Sequence, residues 1–213
     1  GCMTLDGSYD LNRETYNGEL TLSRFPLDRF LTVDSLGSAS ANFRLEGRYF
    51  SWPQAKTSVN AGIRQLFYKE HEYKDITLQA TLDKTHLRGT MVSKDPDAPL
   101  DLVFRGDSLQ QQYQVGLGGY IGKVDLQALH LMQEPLTMGL KVDLQGFIGE
   151  HSAYALKARF DSLSMADSRK TYTLGSLDID MASDLKKTTL DVKTGDLQLT
   201  FRADTSLAGF GES

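Results

Sequence analysis

Along most of the chain, apolar and polar side chains alternate one for one. A β-strand turns successive side chains to opposite faces, so this period of two predicts strands with one apolar face and one polar face. The clearest run is Leu136, Met138, Leu140, Val142 and Leu144, with Lys141, Asp143 and Gln145 between them. Ile76, Leu78, Ala80 and Leu82 alternate with Thr77, Gln79, Thr81 and Asp83. The same reading applies to Leu177-Ile179-Met181 and to Leu197-Leu199-Phe201-Ala203. Shorter runs lie at Ala39–Leu45, Leu100–Phe104 and Tyr154–Phe160. The interleaved charges exclude the buried strands of a parallel α/β sheet, which read as unbroken apolar runs. About a dozen strands joined by short polar turns favour antiparallel meanders.

Helical periodicity is confined to two short stretches. Phe25, Leu27, Phe30 and Leu31 fit a turn or two opened by Pro26, and Val124, Leu126 and Leu129 fit another. Both are shorter than a typical helix. The expected fold is therefore all-β: a mostly antiparallel, curled sheet with two short helical turns.

A near-repeat at a shift of about 99 residues divides the chain into units 5–105 and 106–205, which can join as one continuous sheet. Gly7 falls on Gly106, Leu27 on Leu126, and Phe30 on Leu129. Phe43, Leu45 and Gly47 fall on Val142, Leu144 and Gly146, and Leu78 falls on Leu177. Each unit would present an apolar face and an open edge, which stacking of units pairs. Unpaired outer edges would make edge-to-edge self-association of the piece possible.

The apolar face must meet something. A sandwich, a barrel and an open trough that takes an apolar ligand all satisfy the pattern. In each case the inward set is Phe43, Leu45, Ile76, Leu78, Leu102, Phe104, Val142, Leu144, Leu177, Ile179, Leu199 and Phe201. The single Trp52 and the absence of paired aromatic girdles weigh against an outer-membrane barrel.

Composition narrows the partners. Lys and Arg number 23 against 28 Asp and Glu, a net charge of −5. That balance argues against nucleic acid, whose phosphates require concentrated cations. No run approaches the ~18 apolar residues of a membrane-spanning helix, so the piece itself is expected to be soluble. Cys2 is the one cysteine, which excludes an intramolecular disulfide and a cysteine zinc cluster. It is either an ordinary thiol or a lipidated terminus.

Several motifs resemble chemistry without completing it. Gly106-Asp107-Ser108-Leu109 spells a hydrolase block, and Asp83-Lys84-Thr85-His86 supplies an Asp-x-x-His. The order is reversed and the α/β context is missing, so a strand end is the better reading. Gly116–Gly122 lacks the full helix that a phosphate loop needs. His71, His86, His130 and His151 have no metal-type spacing and read as exposed. Asp95 and Asp97 could offer oxygens to calcium, but Pro96 and Pro99 favour a solvated turn. Asp178 and Asp180 share a strand face and should look toward water. The expectation is a protein that is not an enzyme, with no catalytic residues, metal or cofactor.

The order of punctuated strands does resemble a known family. A Leu-rich turn precedes a strand ending Leu-x-Gly, at Leu45-Glu46-Gly47 and again at Leu144-Gln145-Gly146. Then come Phe67–Ile76, the strand around Leu87-Arg88-Gly89-Thr90, Ser93-Lys94-Asp95, and Leu102-Val103-Phe104-Arg105-Gly106. This is similar to the repetitive β-rich periplasmic part of TamB and AsmA-like envelope proteins of the Bacteroidetes type. The resemblance implies an internal segment of a periplasmic protein anchored in the inner membrane. It implies a β-taco-like groove that carries phospholipid acyl chains between membranes, and an outer-membrane barrel protein of the assembly machinery as partner. The twelve inward residues would line that groove. The other reading of the pattern is a closed β-sandwich module that binds a protein or glycan.

Overall fold

A computed structural model describes residues 1–31, 35–51, 54–109, 112–149, 153–167, 169–173 and 175–206. They form fourteen strands in one antiparallel sheet that is curled and open. The strands are β1 (Cys2–Asp10), β2 (Thr15–Pro26), β3 (Leu36–Arg48), β4 (Lys56–Tyr68), β5 (His71–Asp83), β6 (His86–Ser93) and β7 (Leu100–Leu109). After them come β8 (Gln112–Asp125), β9 (Thr137–Ile148), β10 (Tyr154–Ala166), β11 (Thr171–Thr173), β12 (Ser176–Ser183), β13 (Thr188–Thr194) and β14 (Leu197–Ala203). Spatial order follows chain order throughout, with only the short β11 off the path, paired to β10. Apart from β11, which β12 bypasses to pair with β10, each strand therefore hydrogen-bonds to its sequence neighbours, as tight polar turns dictate.

The expected division after residue 105 falls inside β7, and the sheet continues from β7 into β8 without interruption. Of the two expected helical turns, the first is a 3-10 turn, Leu27–Arg29. Pro26 does not open it from within but ends β2 in extended backbone, one residue earlier. The second, after Asp125, is a hydrogen-bonded turn in which Leu129 N–H reaches Asp125 O, without becoming a helix.

Facing residues in an antiparallel ladder share a face, so the register traces rows across the ribbon. One row runs Leu5, Leu20, Phe43, Ala61, Leu78, Met91, Leu102, Gly119, Val142, Phe160, Leu177, Thr194, Leu197. The next runs Gly7, Gly18, Leu45, Val59, Ala80, Gly89, Phe104, Leu117, Leu144, Ala158, Ile179, Val192, Leu199. Between them on the opposite face lies Asp6, Glu19, Arg44, Asn60, Gln79, Thr90, Val103, Gly118, Asp143, Arg159, Asp178, Lys193, Gln198.

The ladder also repeats its irregularities. The register between β2 and β3 shifts between Leu22 and Phe25, and that between β8 and β9 between Ile121 and Val124. Ser40 pairs with Gln65 at a bulge, and Gly139 pairs with Ser164 at another. Residues 22 and 121, 25 and 124, 40 and 139, and 65 and 164 all stand 99 apart. Leu20, Phe43, Ala61 and Leu78 share one row with Gly119, Val142, Phe160 and Leu177, their counterparts at the same distance. The repeat therefore advances straight across the strands with no net stagger, and bulges placed at matching points bend the ribbon at regular intervals.

Candidate functional site: an uncovered apolar face

The register places all twelve inward candidates on one face of the sheet. Phe43, Leu78, Leu102, Val142 and Leu177 stand in the first row described above. Leu45, Phe104, Leu144, Ile179 and Leu199 stand in the second. Ile76 faces Ile63, and Phe201 faces Leu190, in the flanking rows of that face.

Few of these side chains are sealed. Val142 is buried at 4% exposure, but most of its neighbours on this face are half-exposed. Exposure rises toward the ends of the ribbon, to 73% at Leu5 on β1 and 57% at Leu199 on β14. The solvent-accessible surface is 14341 Å². A compact monomer of 23.7 kDa would expose about 9,800 Å². The surplus is the mark of a sheet without a second layer over it.

The face is smooth where glycines would otherwise leave gaps. The Phe104 ring lies over Gly89, its partner in the second row, where a Cβ would collide with it. Tyr16 covers Gly47 in the same way, and Phe50 stacks on Tyr16 with ring centroids 4.2 Å apart. Large rings thus fill the space that the missing side chains leave.

The other face is charged and paired. Arg159 Nη1 lies 3.4 Å from Asp178, and Lys157 Nζ lies 3.7 Å from Asp180. The two aspartates expected to face water are 42% and 58% exposed, and each also has a cationic partner across the strand. Arg44 meets Glu19 at 3.3 Å, and Lys56 meets Asp83 at 3.1 Å. Exposed pairs of this kind add little stability each, but opposite charges across the ladder support the register. Open clefts of about 580 Å³ and 610 Å³ lie on this charged side, one lined by Asp143, Lys157, Asp178 and Lys193, the other by Asp6, Asn17, Glu19 and Arg44.

The hydrolase block does not assemble. Asp107 accepts from His86 Nδ1 at 2.6 Å and from Arg88 Nη2 at 2.8 Å on the charged face. These two bonds, the Arg88 one foremost, hold the Asp107 carboxyl below the usual carboxylate range. Ser108, the next residue of β7, turns to the apolar face. Nucleophile and base therefore sit on opposite sides of the sheet. The glycine-rich stretch is part of β8 rather than a loop. Gly119 has φ +146°, and a Cβ there would strike the backbone of Asp101.

Two expectations are overturned at the end of β5. His71 is not exposed; its side chain is 10% accessible. Asp95 is not in a solvated turn either. Its carboxylate is 1% accessible and accepts from the N–H groups of Lys74, Asp97 and Ala98 at 2.8, 2.9 and 3.2 Å. The loop folds over its own aspartate, an Asx-type turn that Pro96 and Pro99 do not oppose. No spacing rule could have found this, since His71 opens β5 while Asp95 lies in the loop between β6 and β7, and the ladder brings the two together. His151 lies outside the described residues, as does Trp52.

Among the described residues no helix is long and apolar enough to cross a membrane. No family model matches the sequence, and no curated protein and no solved structure matches it either.

Proposed function

We propose that this chain is a section of a cell-envelope β-groove whose apolar face carries phospholipid acyl chains between membranes and serves outer-membrane assembly. The observation that carries the proposal is the uninterrupted, half-exposed apolar face with no layer over it. Apolar faces of that extent on soluble chains mark sites for apolar partners.

The mechanism needs no catalytic residue. Removing a methylene from water is worth about 0.8 kcal/mol and has no preferred direction. A fatty chain laid on these rows is held by area alone, so it can move from one strand to the next without breaking a directional bond. Thirteen strands at a spacing of about 4.8 Å give a track of roughly 58 Å. A single acyl chain covers about half of a ~30 Å hydrocarbon core, so it crosses only about three strands of the track at once. The opposite face carries solvated ion pairs and offers a fatty chain no comparable apolar area. The absence of net stagger between repeats would let further copies of the unit extend the same track. The likeness to TamB and AsmA-like proteins supports a periplasmic setting, an inner-membrane anchor elsewhere in the full protein, and a barrel partner in the outer membrane.

Site-specific photocrosslinking tests the reading. A photoreactive residue at Leu102 or Leu177 should capture phospholipid, whereas one at Gln79 or Lys193 should not. Equal capture on both faces, or none on either, would sink the proposal. A protein captured at Leu102 in place of lipid would favour a binding module.

A further inference from the structure

The geometry points to a first-row divalent cation site, of the zinc class, built by His71, Asp95 and Asp97 at the junction of β5 with the loop between β6 and β7. One imidazole and two carboxylate donors lie within 4.8 Å of one another. Acidic clusters are common, and this one is set apart by His71. Its Nε2 is buried and has no hydrogen-bond partner. It points at Asp95 Oδ2, 3.5 Å away, too far for a good hydrogen bond. Two donors of a tetrahedral ion bound at about 2.1 Å stand about 3.4 Å apart, which is close to that separation.

The lone pairs agree. A carboxylate has about four acceptor positions. Asp95 Oδ1 accepts Asp97 N–H and Ala98 N–H, and Oδ2 accepts Lys74 N–H. That leaves a position on Oδ2, the oxygen nearer His71. The three backbone bonds fix the carboxylate before any ion arrives, as an outer-shell partner fixes a metal ligand. His71 is steadied by Tyr73, whose ring meets it edge-on with centroids 4.5 Å apart. Asp97 is half-buried in the same loop and closes the third side. A mixed nitrogen and oxygen set suits zinc better than calcium or magnesium, which take oxygen donors in larger number. Three protein donors leave a fourth position for water. A bound ion would fasten the β6–β7 loop to the first residue of β5 and stiffen that margin of the ribbon.

The test titrates zinc alone into chelator-stripped protein, with calorimetry for affinity, elemental analysis for stoichiometry, and histidine NMR for location. The expected result is one zinc per chain, a shift of the His71 ring resonances, and at least a tenfold loss of affinity in both His71→Gln and Asp97→Asn. The carboxylate of Asp97 makes no hydrogen bond or ion pair among the described residues, so Asp97→Asn keeps the test decisive even where His71→Gln disturbs folding. Binding below one equivalent, binding that moves His86 or His130 instead of His71, or an undiminished affinity in Asp97→Asn would each overturn the proposal. So would uptake of calcium or magnesium in preference to zinc.

Discussion

Asp95→Ala should be among the most damaging substitutions of a charged residue in this protein. The native carboxylate is almost fully buried and takes three backbone N–H groups at 2.8, 2.9 and 3.2 Å. Hydrogen bonds to charged groups contribute about 1.5–3 kcal/mol each, and a buried donor left without a partner costs about 1–3 kcal/mol. Asp97 and Ala98 are half-exposed, so their freed N–H groups can turn partly to water. Lys74 N–H sits in β5 and faces the loop, with less recourse. The net loss should be about 3–5 kcal/mol, a large share of the ~5–15 kcal/mol that holds a typical domain together. A ribbon of strands in which each contacts only its neighbours need not unfold in one step. Amide exchange is therefore the primary assay, with urea denaturation in the presence of a chelator beside it. Protection of Lys74, Asp97 and Ala98 should collapse in the variant, while that of β9 and β10 stays near native. Asp95→Asn should recover about half the loss, because one carbonyl oxygen can still serve Asp97 and Ala98. A change below about 1 kcal/mol, or unchanged protection of the three amides, would refute the account.

Three further outcomes follow from the geometry. Gly89→Val should displace the Phe104 ring and strain the second row, lowering stability by about 1–3 kcal/mol in chemical denaturation; an unchanged midpoint would show that the ring does not rest there. The Asp107 carboxyl, held low by Arg88 and His86, should titrate below the ordinary ~3.9 in carboxyl NMR and move upward in Arg88→Ala. Because its folded value is the lower one, its contribution is complete above the unfolded value and is lost as pH falls through the folded value; a midpoint at or above the ordinary value would refute the pairing. Charges on the exposed apolar ends, Leu5→Lys with Leu199→Lys, should reduce self-association in sedimentation velocity, and an unaltered distribution of species would show that the edges do not drive it.

Alternation is a local property, and it carried the all-β fold. Leu78 and Leu102 point the same way because a strand reverses its side chains at every residue, whatever the sheet later does. The same rule assigned Asp178 and Asp180 to the charged face, but their cationic partners came from β10, and only the ladder could bring those across. Short polar turns made a sequential meander the natural expectation, and the observed order follows it. The repeat was visible as a shift near 99, but not the matching bulges just before Phe25, Gln65, Val124 and Ser164, because an unpaired residue leaves no distinct mark in a sequence.

Whether the apolar face would be covered was decided by tertiary structure. Sandwich, barrel and open ribbon share one alternating pattern, since closure depends on accumulated twist and bend over many strands and on whether the two outer edges meet. Here β1 and β14 stay apart, and the face remains open. The pocket of His71 and Asp95 belongs to the same class of fact. Residues 24 positions apart along the chain become neighbours only after β5 and β6 have paired. The periodicity of the sequence determined which way each side chain points, because that is settled within a few bonds; what each one meets was determined by the register and curvature of the whole sheet.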